Sequence, residues 1–466
     1  MTCNVNTIAQ TRHMIDTIKD WPLSANTRWK DRPRLLRALR SRNYRLFFAG
    51  QIVSLAGTWI TTTATSWLVY RLTGSALLLG VVGFAGQFPA FLLGPFAGIV
   101  VDRWDKRRLL VMTQVVSMLQ SFALAALTLS GRITVEAIVI LSVVQGLVNA
   151  FDMPGRQAFM IAMIESKDDL PNAIALNSSM VNAARLVGPS IAGAVIAATN
   201  EGWCFFIDGV SYIGVVAALL AMRLPSRRAV AAVDRPDSRQ LFVEGWRYAF
   251  GFRPIRSIIL LLALVSLVGV PYSVLMPVFA TSVFHGGPHT LGLLMTSSGS
   301  GALIGALWLA TRRSVVGLGR IITFAGASFG VGLIGFSFAS VLPLGILCLA
   351  AAGFGFIVLM AATNTIIQTI VDDDKRGRVM SFYMMAFLGV APFGSLIAGW
   401  FSSRIGAPHT VLIGGICCLA GTAWFATELP AIRKVVRPIY MRMGILPQVA
   451  AGLADTAELS VPPEPQ

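Results

Sequence analysis

Apolar residues in this chain fall into about twelve blocks of roughly 20 residues, separated by short polar connectors. At 1.5 Å per residue, a helix of that length crosses the ~30 Å hydrocarbon core of a bilayer. The blocks run approximately over 46–70, 76–101, 109–130, 133–152, 172–198, 204–223, 255–284, 290–311, 320–340, 342–368, 378–403 and 408–428. Only 13% of the 466 residues are charged, about half the share a soluble domain carries, so these blocks have no polar coat to cover them. The expected fold class is therefore all-α integral membrane, with twelve transmembrane helices.

What remains is a basic tail over 1–45, a connector over 224–254 and a second tail over 429–466. None is long enough to bury a core, which excludes a separate catalytic or nucleotide-binding domain; no enzyme is expected. No lysine follows a glycine, so the phosphate-cradling GK dipeptide is missing and any ATP would have to be hydrolysed by a partner. The five cysteines have no CxxC spacing and read as small apolar residues, so neither a disulfide framework nor a zinc site is indicated. The first 45 residues lack the apolar stretch of a cleavable signal.

The net charge of +16 invites a nucleic-acid reading, but the distribution of the cations argues against it. With the N-terminus placed in the cytoplasm, 34 of 38 Lys and Arg fall in cytoplasmic segments. Arg71, Arg132 and Arg404 fall on the opposite face, and Arg185 falls within the fifth block. That is the positive-inside asymmetry, and it puts both termini in the cytoplasm with an even number of spans. The expected partners are lipid, a small-molecule substrate and protons, with no nucleic acid. Pro33 to Arg45, where leucines alternate with arginines, is expected along the inner membrane surface.

The chain also looks doubled. Gly188, Ile191, Ala192 and Gly193 of the fifth block fall on Gly394, Ile397, Ala398 and Gly399 of the eleventh, and Leu224-Pro225 falls on Leu429-Pro430. Two pseudo-symmetric six-helix bundles over 46–223 and 255–428 follow, joined by the 224–254 loop as a solvated, charged connector.

Between the second and third blocks stand Gly98, Asp102, Arg103, Asp105, Lys106, Arg107 and Arg108. A glycine on the last helical turn lets another helix approach, and a carboxylate followed by cations can clamp helices together. The alternative is a loop that only sets topology, although that role does not need the two acids. Here the sequence resembles the major facilitator superfamily, whose signature in this loop is a glycine, an Asp-Arg pair and a trailing basic cluster. NYRLFFAGQIVSLAGTWI at 43–60, DMPGRQAF at 152–159 and NAIALNSSMVNAARLVGPSIAG at 172–193 are similar to its bacterial branch that includes the enterobactin exporter. The resemblance covers roughly residues 35–430. It implies the superfamily fold, with spans one, four, seven and ten lining a central cavity. The second half keeps only Arg312, Arg313 and Arg320 in the counterpart loop, so no matching switch is assigned there.

Gln145, Asn149, Asp152 and Arg156 recur at steps of four, three and four, and so share one helical face. Asp152 and Arg156 can pair, and a gating salt bridge is expected of them. Span one carries a matching stripe of Gln51, Ser54, Thr58, Thr62 and Thr65, either lining the cavity or gluing helices together. Asp372 to Arg378, including Arg376 and Arg378, is similar to the family's segment before helix eleven. It reads either as a partner of the Asp102 loop or as a solvated turn.

Arg185 lies about 20 Å into span five, where an arginine costs about 2.5–3.5 kcal/mol unless paired or wet. Ser178, Asn182, Arg185 and Pro189 share its face, so it is either a cavity cation that attracts an anion or gates, or a structural one satisfied internally. Asp208, early in span six, is either a helix cap or a proton carrier. His285 and His289 are separated by Gly286-Gly287-Pro288, which breaks the helix that would aim both rings at a metal.

The functional expectation is a secondary active transporter, a monomer that exports small organic molecules such as siderophores or drugs. Its energy comes from a proton gradient rather than a cofactor, with Asp152 the leading proton carrier and Asp208 the second. The export direction rests on the resemblance. Alternatives are a permease subunit driven by a separate ATPase and a membrane receptor that does not transport.

Overall fold

The computed structural model describes residues 34–164, 169–223, 238–312, 314–372 and 375–443. After a 3-10 segment at Arg34–Arg40, six long helices follow: α1 (Arg42–Thr73), α2 (Ala76–Arg103), α3 (Lys106–Leu129), α4 (Val135–Met163), α5 (Leu170–Ala198) and α6 (Glu201–Ala221). A short helix α7 (Ser238–Gly251) precedes six more: α8 (Arg253–Val283), α9 (Pro288–Ala310), α10 (Leu318–Ser337), α11 (Leu342–Ile370), α12 (Arg376–Ile405) and α13 (Ala407–Arg442).

Among the described residues, eleven helices are long and apolar enough to cross a membrane: α2–α6 and α8–α13. Helix α1 has the length, at 32 residues, but its Gln, Ser and Thr stripe makes it less apolar than those eleven. It packs against α5 and α6 as a full member of the bundle.

Local chemistry explains where the helices break. Ser75, Asp105, Thr134 and Asn200 each accept a hydrogen bond from the first turn of the helix they precede, and Gly74 turns the chain after α1 at φ 61°. Asp105 is thus the cap of α3, its Oδ1 accepting from the Arg108 backbone N–H at 2.8 Å. Helices α8 and α12 are continuous spans with wider π turns at Val265–Gly269, Phe279–Val283 and Met385–Gly389. Pro271, Pro277 and Pro392, which lack the N–H an α-helix needs, sit beside them.

Several boundaries differ from the sequence reading, among them the end of α4, which runs to Met163 instead of 152. Helix α13 runs through Pro430 and Pro438 to Arg442, because Leu429, Ile432, Val436 and Tyr440 form a buried face at helical spacing. The end of the connector is not a solvated loop. Residues 224–237 lie outside the described residues, but α7 docks on the start of α12. Trp246 stacks on Phe250 at 4.0 Å and meets Phe382 edge-on at 5.8 Å, and Arg378 binds Glu244 at 2.8 Å.

Helices α1–α6 pack among themselves, as do α8–α13, and the main contacts between the two sets are α2 with α12 and α5 with α9. Both seams are built on glycine. A Cβ on Gly399 would lie 2.9 Å from Gly80 Cα, and one on Gly193 would lie 3.3 Å from Gly292 Cα. Ring contacts of Phe84, Phe88 and Phe91 with Phe393 extend the first seam, and Ser190 Oγ to Thr296 Oγ1 at 2.6 Å extends the second. These contacts run from the end of the bundle that holds Gly74 and Pro288 to about its middle. Toward the other end, where Arg103, Arg312 and Arg378 lie, Gly94 and Gly98 face open space. The close helix approach expected at Gly98 is therefore absent here, because α2 and α12 diverge before reaching it.

Candidate substrate-translocation site

Two polar clusters are buried in the first six helices. The first is centred on Asp152, which is 5% exposed and ion-paired with Arg156 one turn on. Asp152 Oδ1 also accepts from Thr113 Oγ1 at 2.9 Å and from Gln114 Nε2 at 2.8 Å. Arg156 Nη1 donates to Gln51 Oε1 at 2.5 Å, which ties α1 to α4. One turn deeper, Gln145 Nε2 donates to Ser117 Oγ at 3.2 Å and to Asn149 Oδ1 at 3.1 Å. The face Gln145, Asn149, Asp152, Arg156 thus carries two hydrogen-bonded groups, Gln145 with Asn149 and Ser117 of α3, and Asp152 and Arg156 with α3 and α1.

The second cluster surrounds Asp208, which is 1% exposed. It is not the cap of α6, since Asn200 fills that position a full two turns earlier. Its Oδ2 accepts from Thr61 Oγ1 and Ser121 Oγ, both at 2.9 Å, while Oδ1 has no hydrogen-bond partner among the described residues. Gly57 makes room for it, because a Cβ there would stand 2.5 Å from Oδ1. No cation described is paired with this carboxylate.

The two carboxylates differ in what their partners can do. Besides the Thr113 hydroxyl, Asp152 is held by guanidinium and amide N–H groups, which only donate. Hydroxyls donate or accept, so the Asp208 site accommodates either protonation form.

The α1 stripe divides. Gln51 and Ser54 are buried, whereas Thr58 and Thr62 are exposed and donate to the carbonyls of Ser54 and Thr58 in their own helix. Thr58 also meets the Tyr212 hydroxyl of α6, so it does join α1 to a neighbouring helix. On α5, Asn182 Nδ2 donates to Ser178 O at 2.9 Å. Arg185, half-buried one turn further in, makes no hydrogen bond or ion pair among the described residues. Its guanidinium lies 5.7 Å from the Trp59 ring of α1 and 5.8 Å from the Phe356 ring of α11.

In the loop after α2, Arg107 donates to the Leu220 carbonyl at the end of α6, a favoured place for a cation. Arg103 and Arg108 are exposed, and the side chain of Asp102 lies outside the described residues. Asp373 and Asp374 also lie outside them. Arg376 opens α12, and Lys375 pairs with Asp372 at 3.3 Å and sits 4.7 Å from the Tyr248 ring. Burial, then Asp372, push the Tyr248 phenol above its ordinary range, so it stays a donor to Asp372.

Sequence reasoning missed Thr61, Thr113, Gln114 and Ser121, the partners of both carboxylates. It also missed the Arg71–Glu201 pair, whose two contacts of 2.7 and 3.1 Å join α1 to α6. Glu201 is only 2% exposed there.

This arrangement of helices, glycine seams and buried polar clusters is that of a major facilitator transporter. The fold matches the crystal structure of the nucleoside transporter NupG with a TM-score of 0.62 at 15% identity, over 85% of this chain and 99% of that one. The chain belongs to the transmembrane secretion effector family, which it matches over residues 35–440. It is 29% identical to the staphyloferrin A transporter of Staphylococcus aureus, over 81% of this chain and 94% of that protein. It is 27% identical to the multidrug efflux pump Tap of Mycolicibacterium fortuitum, over 82% and 94%. The protein is thus a multi-pass membrane transporter and not an enzyme.

Proposed function

We propose that the protein is a monomeric, proton-coupled exporter of small organic molecules in a bacterial inner membrane, with both termini in the cytoplasm. The observation that carries this reading is Asp208, a buried carboxylate held by two hydroxyls and no cation. It binds and releases the coupling proton, while Asp152 stays paired with Arg156 and holds α1, α3 and α4 in register. With the basic end cytoplasmic, the glycine seams close the outer side, and the splayed ends near Gly98 open the cavity to the cytoplasm. An exporter loads its substrate in that state. The Asp102, Arg103, Arg107 and Arg108 loop, with Arg376 and Arg378, would act when the cytoplasmic ends close.

The relatives that carry staphyloferrin A and multiple drugs support siderophore-like or drug-like cargo. Inverted membrane vesicles with an acid interior should accumulate staphyloferrin A or ethidium, and a protonophore should stop it. Accumulation indifferent to the protonophore would refute proton coupling.

A further inference from the structure

An arginine deep in a membrane protein needs compensation, and Arg185 obtains it from ring faces instead of from an acid. The Trp59 and Phe356 rings each lie within the range of an attractive cation–π contact. Together they offset part of the cost of holding a cation there. The charge is therefore tolerated without being neutralised.

The rings accept no N–H hydrogen bond in the guanidinium plane, and Arg185 is only half-buried. An arginine carries five N–H donors in a planar fork that matches a carboxylate, and no described residue accepts from this one. A resident acid in that position would have competed with an incoming one.

Its location suits a ligand. The backbone of α5 at Arg185 is crossed by α9 at Gly299, where a Cβ would stand 3.3 Å from the Arg185 carbonyl oxygen. This is the inner limit of the α5–α9 seam. From there toward the open end, the same face of α5 presents Asn182 and then exposed Ser178. Helices α1, α5 and α11, from both six-helix sets, converge on this one cation.

We propose that Arg185 anchors a carboxylate of the transported molecule, with Trp59 and Phe356 packing against a flat apolar part of it. Substrates of this transporter are accordingly small acids with an aromatic or otherwise planar flank. This assignment rests on the transport reading above, which it refines.

The test uses purified full-length protein in lipid nanodiscs and two fluorescent probes of the same shape, anthracene-9-carboxylate and anthracene-9-carboxamide. Wild type should bind the carboxylate at least tenfold more tightly than the amide. Arg185→Gln should remove that preference, Arg185→Lys should keep part of it, and Trp59→Leu should weaken both probes. Equal binding of the two probes by wild type, binding of neither, or an unchanged preference in a folded Arg185→Gln protein would overturn the proposal. Gradient-driven export by wild type is followed in parallel. Export without carboxylate preference would remove this inference alone, whereas an Arg185-dependent preference without export would remove the transport reading alone.

Discussion

Gly80 of α2 and Gly399 of α12 touch backbone to backbone, so that a Cβ on Gly399 would lie 2.9 Å from Gly80 Cα. Gly193 of α5 and Gly292 of α9 repeat the relationship on the other seam. Gly193 and Gly399 are the same residues that the internal repeat superposes. Small residues at both crossings let helices from the two sets approach as closely as backbone allows, where van der Waals contact is the main attraction available in lipid.

Filling either crossing should disfavour the closed seam. An added methyl at Gly399 costs about 1–3 kcal/mol in strain, enough to shift a two-state equilibrium roughly 5- to 150-fold. Tyr70 and Ser282 lie 3.1 Å apart, hydroxyl to hydroxyl, across the closed end. Cysteines placed at both should be joined readily by a short bifunctional thiol reagent in wild type and poorly in Gly399→Ala. Gly98→Ala, whose methyl meets open space, should leave cross-linking undiminished.

Topology can be read with cysteines in a background lacking the native five. A cysteine at Ala232 should react with an impermeant thiol reagent only from the cytoplasmic side. One at Gly287, where a side chain meets open space, should react only from outside. Labelling of both from one face would contradict the orientation.

Removing the Asp152 charge should destabilise the protein. Asp152→Asn leaves the Arg156 guanidinium, 24% exposed, without its carboxylate. Loss of a buried pair costs about 3–5 kcal/mol, and this partial exposure puts the effect toward about 2. Thermal unfolding in detergent should show it, and adding Arg156→Gln should restore part of the loss.

For α7, apolar docking should outweigh charge. Trp246→Ala should cost about 1–2 kcal/mol and expose the helix to protease. Glu244→Gln should cost under about 1 kcal/mol, since that side chain is 65% exposed.

The spans and the doubled architecture were legible because each is written locally, in apolar runs and repeats. The i,i+4 pairing of Asp152 with Arg156 was legible for the same reason. The neighbours of Asp208 were not: Thr61 and Ser121 lie 147 and 87 residues away, and no periodicity connects them. Trp59 and Phe356 are also far from Arg185 in sequence, and only the packing of α1, α5 and α11 joins them. Helix α7 left a signal in Trp246 and Phe250 at helical spacing, hidden by the charged stretch before it. Pro430 was misleading because a proline ends a helix only when no buried face carries it further.

The most direct test of coupling compares Asp208→Asn with wild type in proteoliposomes, scoring both gradient-driven accumulation of substrate and its one-for-one exchange at equilibrium. If Asp208 carries the proton, the variant loses accumulation and keeps exchange, because exchange needs no net protonation. An Asp208→Asn protein that accumulates substrate at the wild-type rate would contradict the assignment.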